Sequence, residues 1–459
     1  NGIEPDWTNG VDRALRQHSM NITARVILNN EVDTEPEDKV GVFDLEGVCH
    51  GVSSISYDET TGESLVYITV YDSLMADHEM YFRLWNHSIG KEQMLVAHDD
   101  EGNQQYTVMF QPSKVIGSPS KPLILTGGDY YIQTIALYKG WNWVSLNVLA
   151  DVVQNYNSLL GRLPMHEGDI MADVEGAVNV FTNGRWMTSA GNTNTSISHK
   201  SAYFVKVQED VSLQLYGTLV KEREDRTINV HNGWNGIGYT PMLNLTVETA
   251  LSDYNNKAEE GDVIKSHDEY AIFTVNNGVG RWKGSLKYMK PGEGYMLYRT
   301  KESEASFTYP FYEPTSTFLD EVKAAPARHA GHQSNMSVTA TVNGIELQDG
   351  DRLKAYSNGE LCGEIGAEDD IFYLSITGDK DAPISFALER DGEIVAATTE
   401  IMKYHTNDVI GTPNEPTAID FTRVEVSGNG WYTVSGTTLD GKPNRAGVYI
   451  HNGKKEVVK

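Results

Sequence analysis

The side chains best suited to chemistry in this 459-residue chain are scattered rather than gathered into a catalytic pattern. The sequence contains no His-Glu-x-x-His, no Gly-x-Ser-x-Gly, no Walker loop and no Cys-x-x-Cys. Thirteen histidines stand singly, apart from His329 and His332, which fall in a stretch with no cysteine or acidic partner nearby. Asp99-Asp100-Glu101-Gly102-Asn103 and Glu368-Asp369-Asp370 could offer oxygen to Ca²⁺, but neither has EF-hand spacing. Both are expected to be solvated turns. A carboxylate pair for glycoside hydrolysis would come from distant strands, and nothing singles one out. The expectation is therefore no catalytic residue, no metal site and no cofactor.

Aromatic residues are the remaining candidates, and a repeat sorts them. Gly140-Trp141-Asn142-Trp143-Val144-Ser145 returns as Gly233-Trp234-Asn235-Gly236-Ile237-Gly238. From each first Trp, a Glu-Gly-Asp triplet ends 28 positions on, at Asp169 and at Asp262. A second Trp follows in each copy, Trp186 and Trp282. Such spacing marks a tandem duplication. Residues present in both copies serve the fold: Trp141, Trp234, Trp186 and Trp282 are assigned to module cores. Asp169 and Asp262 are assigned to turns, where Asp bonds its own backbone. Residues present once are free to serve a surface. Trp143 is replaced by Gly236, and Trp85 by Glu389 in a second duplication described next. The cluster Phe307, Tyr309, Phe311 and Tyr312 has no counterpart. Exposed aromatics stack on sugar rings or anchor protein interfaces, so these six are the candidate binding residues.

The elements that must carry them are strands. Short β-branched and aromatic runs between turn clusters fill residues 20–126, as in Ile22–Leu28, Val66–Tyr71 and Met80–Trp85. The same organisation returns at 336–423. Met336–Ala340 echoes Met20–Ala24, Asp351–Tyr356 echoes Asp38–Phe43, and Val409-Ile410-Gly411 echoes Val115-Ile116-Gly117. Cys49 and Cys362 each lie six positions past an aromatic, which assigns them to equivalent buried sites and not to a disulfide. The predicted fold is all-β: sandwich-like modules in the order A–B–B′–A′, with a short helix in each B module. The boundaries are a linker over 1–19, A over 20–126, B over 127–219, B′ over 220–314, a connector over 315–335, A′ over 336–423 and a tail over 424–459. Thr246 is the predicted cap of a helix reaching Tyr254, and Asp151–Leu160 its weaker equivalent.

The formal net charge is −27, with acid spread along the chain. That argues against nucleic-acid binding, which needs basic patches. No stretch approaches the ~20 apolar residues of a membrane helix, and no leader is visible at Asn1. Gly447-Val448-Tyr449-Ile450 and Lys455–Lys459 resemble the end of the type IX secretion C-terminal signal of exported Bacteroidetes proteins. The match is short, with the first half of that sandwich missing. Gly140–Val148 and Phe43–Gly51 resemble repeats of multidomain surface proteins of that phylum. The tail resemblance implies export, with the tail removed and the protein surface-attached or released. It implies no activity.

Together these features predict a non-enzymatic surface protein that binds a host or environmental protein, a basic one by charge complementarity. The alternatives are a glycan-binding module set using Trp85 and Trp143, a structural spacer of a larger assembly, and an enzyme with its site at a module boundary.

Overall fold

A computed structural model describes the chain apart from residues 1–3, 8–15, 46, 74–76, 129, 150–165, 175, 177, 189–196, 313–330, 399–401, 424–429, 434–437, 446, 452–453 and 459. The strand-forming runs do form strands. In His18–Leu28, Met20, Ile22, Ala24 and Val26 alternate into one core while their neighbours point outward, the period of two that a pleated strand imposes. The sheet of this region runs Cys49–Ser54, Lys39–Asp44, His78–Asn86, Lys91–His98, Leu123–Gly127, His18–Leu28, Glu63–Asp72, Ser56–Asp58. Its first strand packs on Glu63–Asp72 near its far edge, so the sheet folds over its own core.

Near the other end, a sheet runs Glu360–Gly366, Arg352–Ser357, Pro383–Arg390, Glu393–Thr398, Thr417–Arg423, Asn335–Asn343, Phe372–Thr377. Strand for strand, this is the order of module A. His18–Leu28 and Asn335–Asn343 each take a parallel partner on the same side, Leu123–Gly127 and Thr417–Arg423. Gly117 and Gly411 share φ +71°, and a Cβ on either would strike the carbonyl of Thr23 or Thr339. Only Gly fits that approach, which is why the closing motif keeps it in both copies.

The cysteine equivalence is corrected. The bulge at Val42/Phe43 pairs Phe43 with Cys49, whereas Tyr356 pairs with Leu361 and Ala355 with Gly363. Cys362 thus matches His50, one residue on. A shift of one residue changes the face of a strand. Cys49 lies in an outer cluster with Trp7 and Phe43, and Cys362 in the main core of its module. Both are free thiols.

Modules B and B′ also share a strand order. One sheet runs Gly140–Val144, Tyr203–Val207, Ile170–Ala172, Val178–Thr182, Arg185–Thr188. The other runs Gly233–Ile237, Tyr295–Arg299, Val263–Lys265, Tyr270–Asn276, Val279–Gly284. A second layer, Tyr130–Leu137 against Val211–Leu219 in B and Thr227–Val230 against Ala305–Thr308 in B′, closes each core. The Asn of Gly-Trp-Asn ties each module's entry turn. Asn142 accepts the Tyr138 N–H (2.9 Å) and donates to Tyr138 O, Gly140 O and Val205 O. Asn235 does the same with His231, Gly233 and Leu297.

The helix in B′ spans Val247–Ala250, with Thr246 Oγ1 accepting the Thr249 N–H. It stops short of the predicted Tyr254. Ser252, Asp253, Asn255 and Asn256 favour turns over helix, and Tyr254 is drawn into the core, where its hydroxyl donates to Asp262 (2.7 Å). The Asp151–Leu160 counterpart lies outside the described residues. The tail forms a sheet of Thr438–Leu439, Trp431–Thr433, Gly447–His451 and Lys454–Val458. Tyr432 and Ile450 pack it on Tyr356, Ala387 and Ile394 of the A′ sheet.

Candidate functional site

The candidate aromatics part company. Trp85 is buried with Trp7, Phe43, Tyr81 and Met94 on the outer face of the first sheet. Phe307 and Tyr309 lie in the B′ core, Phe307 tilted against Tyr254 and Tyr309 edge-on to Tyr239. Trp143 is 6% exposed. The expectation of exposed platforms is corrected at these four positions. Phe311 and Tyr312 are exposed, with the Arg226 guanidinium over the Phe311 ring. Trp186 and Trp282 lie in the B and B′ cores. Trp141 and Trp234 do not, which corrects their assignment. Trp141 and Trp143 share one strand face, opposite the core, and with Ala172, Phe204, Met296 and Trp234 they form a cluster between B and B′. The second face of each B sheet is a seam, and its aromatics are spent there.

The Asp pair sits in turns as a backbone anchor. Asp262 accepts from the Glu259 N–H, the Tyr254 hydroxyl, and the Thr300 N–H and hydroxyl. Asp169 accepts the His166 N–H. Glu368-Asp369-Asp370 is a tight turn with both Asp at positive φ, and Glu368 pairs with Lys287 across modules. Asp99 folds its loop by accepting the Glu101 and Asn103 N–H groups. His329 lies outside the described residues, and the His332 carbonyl faces His267 Nε2 at 2.9 Å.

The B–B′ seam has internal two-fold character. Ser145 N–H donates to Gly292 O, and Gly238 N–H donates to Lys200 O, each at 2.9 Å. Ser145 corresponds to Gly238 and Gly292 to Lys200, so the two bonds exchange under module exchange. The Trp143–Gly236 difference breaks that symmetry. A Cβ at Gly236 would overlap the Val174 side chain of B. Gly there lets B′ approach, while Trp143 fills the other half of the seam. Asn147, fully buried, locks the contact. Its Oδ1 accepts from Gln133 and the Gly292 N–H, and its Nδ2 donates to Tyr239 O (2.6 Å) and Pro241 O (2.8 Å). All four of its hydrogen-bonding valences are used.

Three modules meet at Lys265, which is wholly buried. Its Nζ donates to Asn335 O (3.2 Å), Asn335 Oδ1 (2.9 Å) and Asn407 Oδ1 (2.8 Å) of A′, and sits 4.5 Å from the Trp234 ring centroid. Asn335 Nδ2 donates back to Ser266 O and His267 O. Trp143 Nε1 donates to Gln333 O (2.7 Å), and its ring meets His267 edge-on. Tyr270 and Thr339 join hydroxyls across the same seam. Burial pushes the Lys265 ammonium down to about 7. A desolvated amine held by neutral carbonyls can fix an interface; among the described residues its hydrogen-bond partners are amide oxygens alone. Lys265, Asn335 and Asn147 were not singled out from the sequence. The one signal was a lysine ending the apolar run Val263-Ile264.

The fold and this junction define a multi-module, all-β protein with buried seams. No family model matches the chain, and no curated protein does. Among solved structures, it is similar to the major pilin subunit BcpA of Bacillus cereus, at 9% identity over 88% of this chain and 99% of that one, with a TM-score of 0.15. It is also similar to the T6 backbone pilin of Streptococcus pyogenes serotype M6, at 8% identity over 85% and 81%, with a TM-score of 0.15.

Proposed function

We propose that this chain is a non-enzymatic, exported surface protein whose stiffened modules present an acidic face to a basic host or environmental protein. One observation carries the reading. Four of the six candidate aromatics are buried, while the chain carries 64 acidic against 37 basic residues, a formal net charge of −27. Charge of that density steers cationic partners and weakens as salt screens it. The buried seams from B to A′ support a scaffold that holds its modules in fixed relation. Export rests on the tail resemblance at Gly447–Ile450 and Lys455–Lys459. The glycan reading loses Trp85 and Trp143 as platforms.

The test is a pull-down with the full chain from a host secretion at low ionic strength, followed by a wash at about 0.5 M salt, where the screening length falls to a few ångströms. Basic proteins should be retained and then released. Recovery of no protein, or of proteins unmoved by salt, would refute the reading.

A further inference from the structure

The seam that joins A′ to B′ has a counterpart on A and B, and there the two faces stand apart. A′ lays one sheet face on B′. Tyr373, Ile371 and Val409 pack there with Val263, Tyr270 and Ile272, and Asn335 and Thr339 bond B′ from the same face. The strand registers carry that face onto A. Thr339 opposite Tyr373 becomes Thr23 opposite Tyr67, and Ser337 beside Val409 becomes Asn21 beside Val115. Asn407 corresponds to Ser113: both have positive φ, and their N–H groups donate to Asn335 O and Ser19 O. On A this face is open. Tyr67 is 41% exposed against 6% for Tyr373, and Val115 is 66% exposed. Asn21, Thr69 and Ser113 are exposed around them.

B repeats the receiving face. Ile170 opposite Val180 stands for Val263 opposite Ile272, and Ala172 opposite Val178 for Lys265 opposite Tyr270. Val263, Tyr270 and Ile272 are buried, whereas Ile170, Val178 and Val180 are half-buried. The differences on the two open faces match each other. Lys265 of B′ is held by Asn335 and Asn407 of A′. B has Ala172 in place of that lysine, and A has Ser19 and Ser113 in place of those asparagines. The cation and its amide acceptors are absent together, so joining A to B leaves no buried charge without its partner. Glu260 of B′ accepts from Asn414 of A′. In B that carboxylate recurs as Glu167, and in A the donor position is Ser120, three past Gly117 as Asn414 is three past Gly411. Within one molecule A meets B through other strands, Lys91–His98 beside Tyr130–Leu137.

We propose that the open face of A docks on the open face of B in a second copy of this chain, repeating between molecules the seam that joins A′ to B′ within one. Tyr67 and Val115 supply an apolar centre for Ile170, Val178 and Val180, with Asn21, Thr23 and Thr69 as a polar surround. Each molecule carries one face of each kind. The contact is therefore heterologous: it closes as a ring, of two molecules at the smallest, or runs on as a filament. The net charge of −27 on each copy opposes the approach. Salt screens that repulsion, so self-association strengthens as salt rises, opposite in sign to capture of a basic protein.

The experiment is sedimentation velocity of the full chain from about 1 to 100 μM, in about 0.15 M and 0.5 M salt. Two variants accompany the wild type: Val115→Asp, which puts a charge on the A face, and Val180→Lys, which puts one on the B face. Thermal unfolding of each shows that it is folded. The wild type should form dimers or longer species as concentration rises, more readily at the higher salt. Each variant alone should be monomeric, its Kd raised by more than about tenfold, since a charge enters the contact without a partner. Mixed in equal amounts they should form a 1:1 heterodimer, because Val115→Asp keeps its B face and Val180→Lys its A face. A wild type that stays monomeric to 100 μM at both salts would overturn the proposal. So would a Val180→Lys variant that associates like the wild type, which would assign the contact to two A faces, or folded variants that remain monomeric when mixed.

Discussion

Lys265 makes the stability of the three-module junction depend on pH in a way that can be calculated. Its ammonium falls from 10.5 to about 7 because burial strips it of water. The folded-state pKa lies below the unfolded one. Between pH 7 and 10.5, the unfolded chain binds the extra proton, so stability rises with pH across that window and levels off above it. Over the whole 3.5 units, the linkage is about 5 kcal/mol at ~1.4 kcal/mol per unit. From pH 7 to 9.5, the gain is about 3 kcal/mol. Lys265→Met keeps the chain length and has no charge to desolvate, although it leaves the Asn335 and Asn407 oxygens without their donor. Urea unfolding of both proteins, followed by tryptophan fluorescence with Trp143 and Trp234 as reporters beside the site, gives the difference at each pH. Titrations common to both proteins cancel. The wild type should gain on the variant by about 1 kcal/mol per pH unit. Parallel curves from pH 7 to 9.5 would refute the reasoning. They would mean that three oxygen acceptors and the Trp234 face hold the ammonium charged, as cation–π contacts in dry surroundings can.

Other perturbations address the seams and clamps. Gly236→Ala forces a methyl into Val174 and should cost about 1–3 kcal/mol; the double change with Val174→Ala should recover part of it in an unfolding cycle. Asn147→Asp turns two donated hydrogen bonds into a carboxylate facing the Tyr239 and Pro241 carbonyls, and should cost about 3 kcal/mol or more at neutral pH. The loss should show as faster amide exchange at the B–B′ seam. Asn142→Ala and Asn235→Ala each release three backbone acceptors, most of them half-buried, and each should lower stability by about 2 kcal/mol in separate urea titrations. Similar losses are expected because the two clamps have the same geometry.

The strands and their duplication were legible because alternation and turn residues act locally. Met20/Met336 and Thr23/Thr339 are aligned in the register as their spacing suggested, with Tyr67 and Tyr373 opposite the two threonines. The cysteines misled because both copies bulge at the same place, between Val42 and Phe43 and between Ala355 and Tyr356, but the turn that follows is one residue longer in A, and spacing alone does not register it. The copy test for aromatics failed in an instructive way. A residue kept in both copies serves the fold, but the fold includes seams, so Trp141 and Trp234 recur without entering a module core. Trp143 differs from its partner Gly236 because Val174 of B occupies the space that any side chain at 236 would need. Lys265 was the hardest to see. A lysine after two apolar residues is ordinarily exposed, and only the arrival of Asn335 and Asn407 from about 70 and 140 residues away encloses it.

The exchanged pair of bonds at Ser145 and Gly238 has a consequence for assembly. A surface that recognises its own copy would, on a chain with one such module, seek that copy on another molecule, at whatever concentration the solution provides. Joining two copies in tandem makes the encounter intramolecular, with an effective concentration in the millimolar range. The contact then closes within each molecule, and this surface is no longer available for dimers. Once pairing was internal, the two halves no longer had to be the same, and Trp143 on one side with Gly236 on the other is the trace of that freedom.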